Sequence, residues 1–347
     1  MISRRHFLLA GAGLPLLSAC ASDIISLSDR PPEVLTRELG VGAASYVVLR
    51  GGKPVPAVAL SGKPDAIFQA ASLTKPVVAL AALRLVQAGR LEPGAPVSRY
   101  LPGGYKHFHN PLRRAAGDAF DLLPASTLER VTVAQLLNHS AGFPNWSSGA
   151  LSFKSEPGAR WGYSGEGYVM LQEVIEAVTQ TGLAAYLEQQ LFAPLGMVDS
   201  SLVWRDAFAG RAVGGAMMLG VEQRMRFQSA VAASSLYTTA ADYARFMSAL
   251  LTDESLLAMT LSTSVEADKP LGLAWGLGWG IEQGAGGPYL WQWGNNPGFR
   301  AFAMASTVSK DGFVVLTNNA NGMPLAASLA RLVLPAEHNA FRFSWVS

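Results

Sequence analysis

A helix that is apolar on nearly every face cannot lie on a surface, and residues 72–88 (SLTKPVVALAALRLVQA) read as such a helix. It has to be enclosed on several sides, so the rest of the chain must build layers around it. Lys75, Pro76, Arg84 and Gln87 interrupt the run and exclude a membrane span. Pro76 falls in the first turn, where a missing N–H costs little, and Gly89 is placed as the stop. Ser72 opens the helix and Lys75 follows three residues on, so the two share a face. That offers a hydroxyl beside an amine able to take its proton. A capping serine followed by a surface lysine gives the same letters, so the pair alone decides nothing.

The flanking segments say what the layers are. Ala44 to Leu49 (ASYVVL) and Val55 to Leu60 read as a hairpin around Gly51-Gly-Lys-Pro54, and Ala66 to Gln69 is a short strand leading into Ser72. Residues 90–125, rich in Gly, Pro and basic side chains, read as an irregular excursion. Helices are expected over 132–138, 168–179 and 182–191, and from a capping-box-like start at Thr239 through Leu251. Little periodicity marks 197–230. Strands return at 277–283, 289–294, 300–306 and 312–318, and Pro324 to Leu334 closes as an amphipathic helix. Strands at both ends with helices between predict an α/β protein of the α+β type, with an antiparallel sheet flanked by helices. On this reading residues 41–90 and 225–347 form the α/β domain and 91–224 a mostly helical insertion.

The chain of 347 residues is half hydrophobic and only 15% charged. Arg4 and Arg5 precede an apolar run from Phe7 to Leu17 that is too short to span a bilayer as a helix. Ser3 to Leu8 resembles a twin-arginine export signal, and Leu17-Ser-Ala-Cys20 resembles a bacterial lipobox. An ordinary secretory signal with an incidental cysteine is the alternative. The expectation is a signal peptide over 1–19, lipidation of Cys20, a tether over 20–40, and residence in the periplasm or cell envelope on a membrane. Without the two leader arginines, Lys+Arg equals Asp+Glu at 25 each. Such neutrality offers no basic surface for nucleic acid. Cys20 is the only cysteine, so no intrachain disulfide forms.

Two further stretches carry chemistry. Pro157 to Tyr168 (PGARWGYSGEGY) sets Tyr163 and Ser164 among glycines at the entry to a helix. A tyrosine hydroxyl near an ammonium group is expected to ionise below its free value of about 10. Trp291 to Phe299 (WQWGNNPGF) is a strand edge whose Gly and Asn residues permit close approach of a substrate. A packed loop tyrosine and an aromatic edge strand are the structural alternatives.

In this order the three stretches resemble the serine β-lactamase and penicillin-binding superfamily, in its class C-like branch with D-alanyl-D-alanine peptidases and carboxylesterases. Val131 to Phe143 (VTVAQLLNHSAGF), Ser235 to Asp242 (SLYTTAAD) and Pro297-Gly-Phe299 support the likeness. It covers Ala44 to the C-terminus and implies a β-lactamase/transpeptidase-like fold. It also implies an acylated Ser72, a Lys75 that helps deprotonate it, and Tyr163 as partner base. The oxyanion hole would be made by the N–H groups of Ser72 and of the Asn295-Asn296 stretch. No cofactor and no metal are implied. The partner is a small ester, amide or lactam.

Two departures bear on substrate. Where relatives carry Tyr-x-Asn, this chain reads Tyr163-Ser164-Gly165, and where they open the third motif with Lys or His, it has Trp293 before Gly294. Tryptophan offers no charge to a substrate carboxylate, which points to an esterase-type hydrolase acting on an uncharged acyl group, although Arg300 stands near enough in sequence to supply one. A β-lactamase, a D-alanyl-D-alanine carboxypeptidase and a non-catalytic lipid-anchored binding protein are the alternatives. His139 sits at a helix-end turn and is read as structural. His107 and His109 are read as loop residues with no third ligand. The tryptophans at 275, 279, 291 and 293 are read as sheet core and cleft wall.

Overall fold

The computed structural model describes residues 21–111, 114, 117–218, 221–223 and 225–346. The leader and Cys20 lie outside them.

A nine-stranded antiparallel sheet forms from the two ends of the chain. Its order runs Val265–Asp268, Leu273–Trp275, Gly280–Gly284, Gly287–Asn296, Phe299–Ser306, Gly312–Thr317, Ala44–Arg50 and Lys53–Pro54, with Val58–Ser61 also paired to Ala44–Arg50. The central strands are buried on both faces, and alternation sorts their side chains between two cores. On one face Val47, Leu49, Ala301, Ala303, Ala305, Val314 and Leu316 meet the enclosed helix Thr74–Gln87 and its neighbours. On the other, Phe302, Met304, Phe313 and Val315 pack under the closing helix Met323–Val333 with Trp275, Trp291, Trp293 and Tyr163.

The enclosed helix begins two residues later than the sequence suggests, at Thr74, because Ser72 and Leu73 form the turn that leads into it. Residues 75–83 are all buried, as the apolar pattern requires. The strand before it, Phe68–Ala71, pairs with Leu236–Thr238 rather than joining the main sheet. Ala71, just before Ser72, has φ +51, an uncommon left-handed value for a residue with a Cβ. Such a conformation costs of order 1–3 kcal/mol and persists where surrounding bonds over-determine it. Here Thr74 Oγ1 donates to Ala71 O at 2.6 Å and accepts the Leu236 N–H at 3.0 Å.

Two expectations need correction. The excursion over 90–125 contains a hairpin, Tyr105–Phe108 paired with Phe120–Leu123, hidden in the sequence by the glycines, prolines and charges around its short strands. The stretch 20–40 is not a free tether over its described part. Ala21–Leu27 and Pro32–Glu38 are helical, with Ile24 and Leu35 buried against the closing helix and the C-terminal segment. Glu254–Leu261, a helix the sequence reading did not mark, packs against the enclosed helix.

Candidate active site

Ser72, Lys75 and Tyr163 come together where the two cores meet. Lys75 Nζ donates to Ser72 Oγ at 3.1 Å and to Ala233 O at 2.8 Å. The lysine is 1% exposed, and burial pulls its amine from the ordinary 10.5 down to about 7. The segment leading to that carbonyl is anchored: Gln172, on the helix Gly165–Thr179, accepts the Ala232 N–H at 3.1 Å and donates to Ala230 O at 3.3 Å.

Tyr163 lies at the same point but behaves differently from the expectation. Its hydroxyl receives the Gln292 side-chain N–H at 3.0 Å. Burial pushes the phenol above its usual range, and the nearby Ser72 and Gln292 side chains only partly offset the rise. Lys75 Nζ lies 4.7 Å from the centroid of the ring, and its nearness does not lower the phenol as expected. Desolvation therefore wins over charge. Of the two candidate bases, Lys75 is the one poised near neutrality.

The third stretch closes the site. Trp293 lies tilted against Tyr163 with centroids 4.6 Å apart, and Trp161 and Trp345 border the same tyrosine. A Cβ on Gly294 would lie 2.4 Å from Ala70 O, so only glycine lets this strand pass beside the turn that holds Ser72. The pairing of this strand with Gly280–Gly284 ends at Trp291, so residues 292–296 run on past it. Along this stretch Gln292 Nε2 donates to Trp293 O at 2.8 Å. Asn296 is buried, its amide donating to Gln69 Oε1 at 3.2 Å and Ser234 O at 3.3 Å. Asn295 is exposed and accepts from Arg300 Nη1 at 2.6 Å, while that same nitrogen donates to Phe299 O at 2.9 Å.

Gly165 is not an empty place in the cleft. A Cβ there would meet the Trp146 ring at 2.7 Å and Asn145 O at 2.8 Å, and its N–H is taken by Asn145. The departure from Tyr-x-Asn is thus tied to a loop that fills the side chain's space. His139 is structural, as read: its Nδ1 accepts the Ser164 N–H at 3.1 Å and its ring lies 4.4 Å from that of Tyr163. Burial, with Lys75 nearby, holds it well below its ordinary value and so neutral. Trp275, Trp279 and Trp291 are core, and Trp293 and Trp161 wall the cleft. Sequence reasoning missed Gln292, Ala233 and Trp345. A carbonyl leaves no signature, and Gln292 looked like any polar residue in an alternating strand.

A buried lysine and a tyrosine converging on one serine, beside the edge of an antiparallel sheet, define a β-lactamase/transpeptidase-like protein. The chain belongs to the beta-lactamase family, whose model matches residues 33–338. It is 32% identical over 178 residues to esterase EstB of Burkholderia gladioli, covering 41% of each chain. It is 25% identical over 239 residues to the lovastatin esterase of Penicillium rubens, covering 56% of this chain and 57% of that one. It therefore spans about half the length of these relatives or less. Among solved structures, a class C beta-lactamase superposes with a TM-score of 0.72 at 16% identity, over 90% of this chain and 97% of that one. That likeness speaks for the fold.

Proposed function

We propose that the protein is a serine hydrolase of the esterase type that works through an acyl-enzyme on Ser72. The observation that carries this reading is the 3.1 Å contact between Ser72 Oγ and the Nζ of a lysine drawn down to about 7. Lys75 as free amine takes the Ser72 proton while Oγ attacks the acyl carbon. The N–H groups of Ser72 and of the Asn295-Asn296 stretch receive the developing oxyanion. The proton on Lys75 then passes through the Tyr163 hydroxyl to the departing alkoxide, which leaves as the alcohol. Water retraces the path: it gives a proton back toward Lys75, its oxygen attacks the acyl carbon, and Ser72 recovers its hydrogen. Tyr163 thus acts as a neutral relay, with Gln292 fixing its oxygen.

Trp293 supports an uncharged acyl substrate, since it puts an aromatic face where a cation would hold a carboxylate. Esterase EstB and the lovastatin esterase, by their names, act on esters. Arg300 favours a second reading, a β-lactam or D-alanyl peptide substrate, because it lines a small cavity beside Trp293 and Trp345. One of its nitrogens is already committed to Asn295 and Phe299. Initial rates on p-nitrophenyl esters, a chromogenic cephalosporin and D-amino-acid peptides separate the two. Cephalosporin or peptide turnover with negligible ester cleavage refutes the esterase reading. No fluorophosphonate adduct by intact mass, or an equal adduct in Ser72→Ala, refutes hydrolysis at Ser72 altogether and leaves a binding protein. We further propose export and lipid anchoring through Cys20 in the cell envelope, supported by the leader sequence. Unchanged membrane association of Cys20→Ser would refute the anchor.

A further inference from the structure

The hairpin found in the excursion brings together three side chains that the sequence reading kept apart. His107 and Asp121 stand directly opposite each other in the pairing of Tyr105–Phe108 with Phe120–Leu123. His109 lies two residues beyond His107, hence on the same face, and its N–H extends the ladder to Ala119 O at 3.0 Å. His107 Nδ1 and His109 Nε2 each lie 3.0 Å from the same oxygen, Asp121 Oδ1. The three possible ligand atoms fall within 4.8 Å of one another.

Bonds of about 2.0–2.1 Å to a tetrahedral ion put neighbouring ligand atoms about 3.3 Å apart. The two histidine–aspartate spacings come within a few tenths of an ångström of that value, and the two histidine nitrogens lie within 4.8 Å of each other. The surroundings also fit. His107 is 1% exposed and its Nε2, without a well-aligned hydrogen bond, lies 3.3 Å from Oε2 of the equally buried Glu166. A carboxylate behind a ligating imidazole is the usual outer partner of a metal-bound histidine. Glu166 is fixed from its other oxygen by the Ser147 N–H at 2.8 Å, and Asp121 Oδ2 accepts the Leu151 N–H at 3.3 Å. His109 and Asp121 are partly exposed, which leaves a side open for a water ligand.

We propose that His107, His109 and Asp121 form a zinc site, with Glu166 supporting His107 from behind. Two imidazoles and one carboxylate suit Zn²⁺ better than Mg²⁺ or Ca²⁺, which favour oxygen ligands. The site's role is bracing. Glu166 belongs to the first turn of the helix that follows Tyr163, and Asn145-Trp146 beside it packs on Gly165. A bound ion therefore ties the hairpin to the wall of the cleft. The inference is independent of the hydrolase reading.

The test uses the full chain without an affinity tag, stripped with a chelator and titrated with Zn²⁺ by calorimetry and with Co²⁺ by visible absorption. One equivalent of each is expected, with the intense d–d band of a four-coordinate cobalt site and a higher melting temperature with zinc. His109→Ala and Asp121→Asn, at partly exposed positions, should keep the fold by circular dichroism but lose at least about 10–100-fold in affinity, and Glu166→Gln a similar factor. Absence of a stoichiometric site in the wild type, or unchanged affinity in both His109→Ala and Asp121→Asn, overturns the proposal.

Discussion

The amine of Lys75 should set the pH dependence of acylation. Burial moves it from 10.5 to about 7, which corresponds to about 5 kcal/mol disfavouring the ammonium form. At pH ~7.5 an ordinary lysine is only about 0.1% free base, whereas one near 7 is about three-quarters free, a gain of several hundredfold in competent base. The rate of Ser72 labelling by a fluorophosphonate, followed by intact mass, should therefore rise as pH increases through about 7 and then level off. Lys75→Arg keeps the charge but cannot give up its proton, and should fall by about 10²–10⁴-fold with no ascending limb near neutrality. Stability offers an independent reading of the same quantity. The folded value lies below the unfolded one, so between about pH 7 and pH 10.5 the unfolded chain binds a proton the native one does not. Urea-derived stability should rise with pH across that window, and Lys75→Met should flatten the rise. A labelling rate flat from about pH 5.5 to pH 8.5, or still climbing above about pH 9, would refute the assignment of the base.

Three other perturbations bear on the site. Gln292→Leu removes the donor to Tyr163 Oη and should lower kcat by about 10-fold or more with little change in KM, read from ester initial rates. Gly165→Asn restores the relatives' side chain but collides with Trp146 and Asn145 O; a loss of about 1–3 kcal/mol by urea denaturation is expected, with no gain in activity. Trp345→Ala, at a half-exposed ring bordering Tyr163 and Trp293, should raise KM for long-chain acyl esters more than for acetate esters; equal effects on both would place the acyl group elsewhere.

How much was legible follows from the range over which each signal acts. Ser72 and Lys75 are three residues apart across the turn that opens the helix, where the Lys75 N–H donates to Ser72 O at 3.0 Å, so the 3.1 Å side-chain contact follows from local structure. The strands were legible through alternation, with Phe302 and Met304 facing one core and Ala301 and Ala303 the other. The depressed Lys75 and the raised Tyr163 were not, because desolvation depends on what packs around a group rather than on its neighbours in sequence. The same holds for His107 and Asp121. They are 14 residues apart in a stretch whose glycines, prolines and charges hid a hairpin.

The location of Ser72 explains why one helix turn can host this chemistry. Leu73 and Val77, on either side of Lys75, belong to the core beneath one sheet face, whereas Tyr163 and Trp293 belong to the core on the other. The site occupies the seam between them, reached past a strand that only Gly294 allows to run so close to Ala70. A lysine placed at such a seam loses its water to both cores at once, and burial alone lowers it. Its reactivity is therefore a property of packing. Changes that admit water beside Lys75, such as truncating Trp293 or Tyr168, should return the amine toward its ordinary value without touching Ser72. Changes on the exposed rim, such as Asn295→Ala, should leave it where it is.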